Sequence, residues 1–127
     1  MQSQTIEFEG SGGVRLIADT WGDPKDDPIL FMHGGGQTRH SWGGAAMLLA
    51  SKGWRTLSID LRGHGDSGWS PKGEYEAEHF VADINSVLSQ LDRTAVLVGA
   101  SLGGRTATFV VGNGAPDLCR ALVLVDI

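Results

Sequence analysis

Serine 101 stands in Gly99-Ala100-Ser101-Leu102-Gly103, a Gly-x-Ser-x-Gly pentad. A serine hydroxyl becomes a useful nucleophile when a sharp strand-to-helix turn lifts it clear of its neighbours and a base takes its proton. Glycines two residues either side keep such a turn free of clashes with the flanking strand and helix. The helix N-terminus behind the serine presents backbone N–H groups to a developing oxyanion. A second cluster, His33-Gly34-Gly35-Gly36, ends an apolar run upstream, and its glycines let main chain approach an acyl oxygen closely. The pentad alone is a weak signal in a glycine-rich chain. Two such loops, each at the end of an apolar run and in this order, form a strong one, and the chemistry they imply is nucleophilic attack on a carbonyl group.

Loops of this kind need strands behind them. Ile29-Leu30-Phe31-Met32, Trp54 to Asp60, Ala95-Val96-Leu97-Val98 and Ala121 to Val125 are short apolar runs that read as strands buried on both faces. Trp42, Ala45, Ala46 and Leu49 share one helical stripe, with Thr38 and Ser41 as candidate caps and Gly53 as the stop. Phe80, Ile84, Val87, Leu88 and Leu91 mark a second helix. Leu102, Thr106, Phe109 and Val110 mark a third, closed by the breakers between Gly112 and Pro116. Thr5 to Glu9 and Val14 to Thr20 alternate around Gly10-Ser11-Gly12-Gly13, predicting an antiparallel pair at a sheet edge. Strands alternating with helices predict an α/β domain with a largely parallel sheet and helices on both faces. In such sheets chemistry gathers at the carboxyl ends of the strands, where the glycine loops lie.

The chain has 127 residues, the length of one domain. Its formal charge of −5, without any block of like charges, disfavours nucleic-acid partners. No apolar stretch is long enough for a membrane span, and the start, Met1-Gln2-Ser3-Gln4-Thr5, lacks the features of a secretory signal. Cys119 is the single cysteine, which fits a reducing, cytoplasmic setting. The histidines and the cysteine show no ligand spacing, so no metal is expected. The His33-Gly34-Gly35-Gly36 loop continues into neither a Gly-x-Gly-x-x-Gly pattern nor a P-loop ending, so no nucleotide cofactor is expected there. The expected partner is a small-molecule substrate.

Through His33-Gly34-Gly35-Gly36, Asp60-Leu61-Arg62-Gly63-His64-Gly65-Asp66-Ser67 and Val98-Gly99-Ala100-Ser101-Leu102-Gly103-Gly104, nearly the whole chain resembles the N-terminal part of the α/β-hydrolase superfamily. The spacing is most similar to the branch containing cofactor-free haloperoxidases, epoxide hydrolases, haloalkane dehalogenases and small esterases. Epoxide hydrolases and dehalogenases usually carry aspartate where this chain has Ser101, which favours acyl transfer to water. The resemblance implies Ser101 as nucleophile and the N–H groups of Leu102 and Gly35 as the oxyanion hole, with Gly34 as the alternative donor. It also implies the order nucleophile, acid, histidine. The 26 residues after Ser101 hold no histidine, so the chain alone is expected to be inactive or very weakly active. Some branches place the triad acid near Asp126; the competing reading makes it a strand-end residue with local hydrogen bonds.

The upstream histidines are expected in other roles: His33 structural within the oxyanion loop, His64 on the surface or in packing, His40 and His79 beside helices. Asp60 and Arg62 are expected to pin the glycine loop, and Arg105 to lie on the helix surface. The family's sheet continues past strand 121–125, and its cap, where present, is commonly inserted there. In this chain that strand is expected to be an uncovered apolar edge open to self-association or to a complementing chain. Three functions compete: a serine hydrolase of esters or related carbonyl compounds, a cofactor-free perhydrolase of the haloperoxidase type, and a non-catalytic ligand-binding or regulatory fragment of the same fold.

Overall fold

Residues 28–32 show how the sheet is buried. In the computed structural model, which describes residues 2–113, 117 and 119–125, the strand Pro28–Met32 is buried at every position. Ile29 and Phe31 face one layer, with Trp21, Ala46, Ala50 and Val98. Leu30 and Met32 face the other, with Leu57, Ile59, Ile84, Leu97 and Val110. An unbroken apolar run is therefore the sequence of a strand covered on both faces.

The strands are β1 (Gln4–Glu9), β2 (Arg15–Trp21), β3 (Pro28–Met32), β4 (Arg55–Ile59), β5 (Ala95–Ala100) and β6 (Cys119–Val125). They form one sheet in the order β1-β2-β4-β3-β5-β6. β1 pairs antiparallel with β2, and β2 antiparallel with β4; the pairs β4–β3, β3–β5 and β5–β6 are parallel. The expected edge hairpin and parallel sheet are both present. The 3₁₀ turn Ser11–Gly13 connects the hairpin, with Gly12 and Gly13 at φ 66° and 79°, backbone that glycine adopts without penalty.

Helix α1 (Gly43–Ala50) covers one face, while α2 (Ala77–Ser89) and α3 (Leu102–Gly112) cover the other. The predicted first helix is shorter than its stripe. Trp42 belongs to a preceding 3₁₀ turn, Arg39–Trp42, whose N-cap Thr38 accepts from the His40 N–H. Ser41 does not cap. β4 turns Leu57 and Ile59 toward the α2–α3 layer and ties its other face down with hydroxyls: Thr56 Oγ1 donates to the Ala46 carbonyl (2.8 Å) and Ser58 Oγ to that of Arg39 (2.5 Å). Among the described residues no helix is long and apolar enough to cross a membrane.

β3 lies between β4 and β5, so the crossover through α1 leaves on one side of it and the later ones on the other. The crevice at the carboxyl ends of β3 and β5 is thus a switch point of the sheet, where α/β proteins bind ligands. His33-Gly34-Gly35-Gly36 and Ser101 both emerge there.

Candidate active site

Ser101 joins β5 to α3 with φ 50° and ψ −113°, the one non-glycine residue at positive φ among those described. A serine before a helix ordinarily accepts a hydrogen bond from the first turn; here the side chain makes no such cap. The strain has a visible cause. A Cβ on Gly99 would meet the Gly103 carbonyl oxygen at 2.5 Å, and one on Gly103 would run into the carbonyls of Met32 and His33. Without side chains at both positions α3 presses onto β5 and β3, and the Gly103 N–H donates to the His33 carbonyl (3.1 Å). Ser101 is left exposed at the turn.

The loop after β3 faces this turn. A Cβ on Gly34 would lie 3.5 Å from Ser101 Cβ, and one on Gly35 3.9 Å from Leu102 Cβ. The amides of the loop are not equivalent. The Gly34 N–H donates to Gln37 Oε1 (3.1 Å), and the Gly36 N–H to His64 Nε2 (3.0 Å). The N–H groups of Gly35 and Leu102 have no hydrogen-bond partner among the described residues. An open pocket of about 560 Å³ is lined by Gly35, Ser101, Leu102, Arg105 and Thr108. The geometry thus gathers an exposed serine, two unused amides and one cation. Of the two donors considered in the loop, Gly35 is available and Gly34 is engaged.

Behind the loop stands buried polar scaffolding. His33 is fully buried; its Nδ1 is 2.7 Å from the Gly34 carbonyl and its Nε2 accepts the Leu61 N–H (3.0 Å). Burial pushes its pKa below the ordinary imidazole value, and the nearby His64 ring acts in the same direction, against the Gly34 carbonyl and Asp60. The Asp60 carboxylate, also fully buried, accepts the Arg39 N–H (2.6 Å), Arg39 Nη1 (2.5 Å) and the Asp66 N–H (3.0 Å). Arg39 also reaches Asp66 (2.9 Å) and Asp19 (3.1 Å). Burial works against the Arg39 cation, but Asp66, Asp60 and Asp19 outweigh it and hold the guanidinium above its usual pKa.

Arg62 pins a different junction. Its Nε and Nη2 bind Asp83 on α2 at 2.7 and 2.8 Å; Nη1 donates to the Glu74 carbonyl, and Nη2 also donates to that of Ser11. Asp83 holds Arg62 above its usual pKa in spite of burial.

His33 is therefore structural, as expected from the sequence. His64 does more than pack: it accepts the Gly36 N–H of the glycine loop after β3. His79 closes a capping box with Glu76 at the start of α2, and His40 is exposed near Asp19. Arg105 is exposed on α3 and also lines the pocket. No described residue donates to or accepts from Ser101 Oγ. Asp126 lies outside the described residues. Sequence reading missed Arg39, Asp19 and Gln37. Only Gln37, three residues beyond Gly34, carried a local signal, since a turn amide facing a side-chain carbonyl is a short-range contact.

Residues 27–127 match the family model for the alpha/beta hydrolase fold. An esterase of Mycobacterium tuberculosis is 40% identical over 100 residues, covering 78% of this chain and 32% of the esterase. A non-heme chloroperoxidase of Burkholderia pyrrocinia is 34% identical over 105 residues, covering 81% of this chain and 37% of that protein. The crystal structure of an epoxide hydrolase from Vigna radiata superposes with a TM-score of 0.90 at 24% identity, covering 98% of this chain and 40% of the other, a likeness of fold. The chain thus spans about a third to two-fifths of the length of these proteins. With its sheet order, its strained serine turn and its family match over most of its length, the chain belongs to the α/β-hydrolase fold family.

Proposed function

We propose that Ser101 is the nucleophile of a serine hydrolase acting on an ester or related carbonyl compound, and that these residues supply its nucleophile and oxyanion hole. Ser101 Oγ attacks the carbonyl carbon. The negative charge that develops on the carbonyl oxygen is received by the N–H groups of Leu102, at the start of α3, and Gly35. The leaving group departs with a proton, and water then releases the acyl group from Ser101. The observation that carries this reading is the positive φ of Ser101 beside two amides without partners. A loop with no chemical task gains nothing from such strain. No described residue hydrogen-bonds Ser101 Oγ as a base would, and the 26 residues after Ser101 hold no histidine, so residues 1–127 by themselves are expected to turn over slowly or not at all.

A weak intrinsic reactivity remains testable, because an oxyanion hole and binding alone retain roughly 10³–10⁴-fold catalysis over water when triad members are removed. Residues 1–127 treated with a fluorophosphonate probe, with imidazole added as an external base, become modified at Ser101. The modified site is read by mass spectrometry of the peptide containing residues 98–105, and Ser101→Ala abolishes it. Modification of Ser101 no faster than that of other serines would sink the proposal in favour of a non-catalytic binding fragment.

The similarity to non-heme chloroperoxidases supports a second reading, in which peroxide replaces water as acceptor of the acyl group. Comparing aryl acetate hydrolysis with peroxide-dependent halogenation by a protein that carries these residues together with a base separates the two.

A further inference from the structure

His33 and His64 each hold the loop of the other. His33, at the end of β3, accepts the Leu61 N–H of the β4 loop at Nε2 (3.0 Å), and its Nδ1 meets the Gly34 carbonyl (2.7 Å). His64, in the β4 loop, accepts the Gly36 N–H at Nε2 (3.0 Å), and its Nδ1 meets the Arg62 carbonyl (2.9 Å). The rings lie 4.8 Å apart between centroids. A ring nitrogen that accepts an amide proton carries none itself, so these bonds place the proton of each ring on Nδ1. Every ring nitrogen of the pair is committed to main chain.

These bonds bear on Gly35. Its N–H belongs to the peptide plane whose carbonyl, that of Gly34, is held by His33; in a trans peptide the two point in opposite directions, so fixing one aims the other. The next peptide plane, which contains the Gly36 N–H, is held by His64. Three consecutive glycines, the last at φ 78°, have wide intrinsic rotational freedom, which the two histidines restrict together with Gln37, whose N–H donates to the Gly34 carbonyl (3.1 Å) and whose Oε1 accepts the Gly34 N–H (3.1 Å). His33 is buried in the protein body, whereas His64 is half-buried and reaches the loop from outside.

We propose that His64 is a positioning residue of the site: its Nε2, by accepting the Gly36 N–H, holds the peptide planes about Gly35 so that the Gly35 N–H faces the oxygen of a carbonyl attacked by Ser101. The inference rests on the nucleophile reading above, and it makes the β4 loop part of the oxyanion machinery without contact between His64 and substrate.

The test combines three measurements on residues 1–127. Long-range proton–nitrogen correlation of the imidazoles is expected to find His64 in the Nδ1–H form; an Nε2–H ring would overturn the proposal without any substitution. His64→Ala is expected to speed amide exchange at Gly36, whose N–H loses its acceptor, by about tenfold while β5 amides keep their protection. It is also expected to slow imidazole-assisted phosphonylation of Ser101 by about tenfold, less than the loss of a whole oxyanion donor. His64→Gln, which retains an acceptor at the end of the side chain, recovers both. Unchanged exchange at Gly36 in the alanine variant, or faster exchange with undiminished phosphonylation, would refute the positioning role. If the alanine variant does not fold, the ring tautomer and the glutamine variant decide. A wild-type chain unreactive at Ser101 defeats the nucleophile reading instead, and tautomer and exchange then judge the loop clamp alone.

Discussion

His33 sits at the meeting of stability and site geometry. Its neutral ring is favoured by burial, so its pKa in the folded chain is below the ordinary value near 6.5. The folded state therefore binds this proton less readily than the unfolded state. The resulting stability is complete above the unfolded value and is lost as pH falls below about 6.5 toward the folded value. Urea denaturation between pH 7.5 and 5.5 is expected to show stability declining toward acid, with a slope from this group of at most about 1.4 kcal/mol per pH unit. His33→Gln, which cannot take up a proton, is expected to flatten that slope; an equally steep decline in the variant would assign it to other groups. Ser101 makes the complementary point. Its unfavourable φ persists because Gly99 and Gly103 let two layers of backbone close around it, and it is the packing of those neighbours that sets the serine's conformation.

At the scale of elements, two buried arginines fasten loops to the body of the fold. Arg62 and Asp83 are each 2% exposed at the side chain and bind through two contacts, joining the β4 loop to α2 and to the turn after β1. Removing one charge of such a pair leaves the other buried without compensation, at a cost of about 3–5 kcal/mol, whereas replacing both with apolar residues costs less. Arg62→Met is thus expected to lower the urea midpoint sharply, and adding Asp83→Leu to recover part of the loss. A double variant as unstable as the sum of the two single variants would contradict this account. The same elements mark where sequence reading succeeds. β3, β5 and the α2 stripe were legible because burial on two faces, or on one helical stripe, leaves a local pattern; the serine turn was legible because its glycines sit two residues away. The partner of Asp60 was not. Arg39 lies 21 positions earlier in a 3₁₀ turn, and nothing local distinguishes it from a surface arginine. The contact of His64 with Gly36, 28 positions away, depends likewise on β4 lying beside β3.

At the scale of the whole chain, β6 is the outermost of the described strands on its side of the sheet. β6 pairs with β5 along one edge, and Val123, Leu124 and Val125 are 46%, 39% and 37% exposed. An apolar parallel strand with a free edge invites pairing with another chain. We propose that residues 1–127 self-associate along β6. Size-exclusion chromatography is expected to show a concentration-dependent oligomer that Val123→Lys shifts toward monomer, and a monomer at every concentration would count against it. A different consequence follows from the pairing at the centre of the sheet. Ile29 pairs with Val96 and Met32 with Gly99, partners 67 positions apart, and the two halves of the candidate site stand at the ends of these strands. During synthesis at 5–20 residues per second, β3 and its glycine loop precede β5 by roughly 3–13 s. Through that interval a nascent chain has no serine turn for the glycine loop to face. The onset of probe reactivity at Ser101 in a synchronised translation would therefore time the closing of the central strand pair.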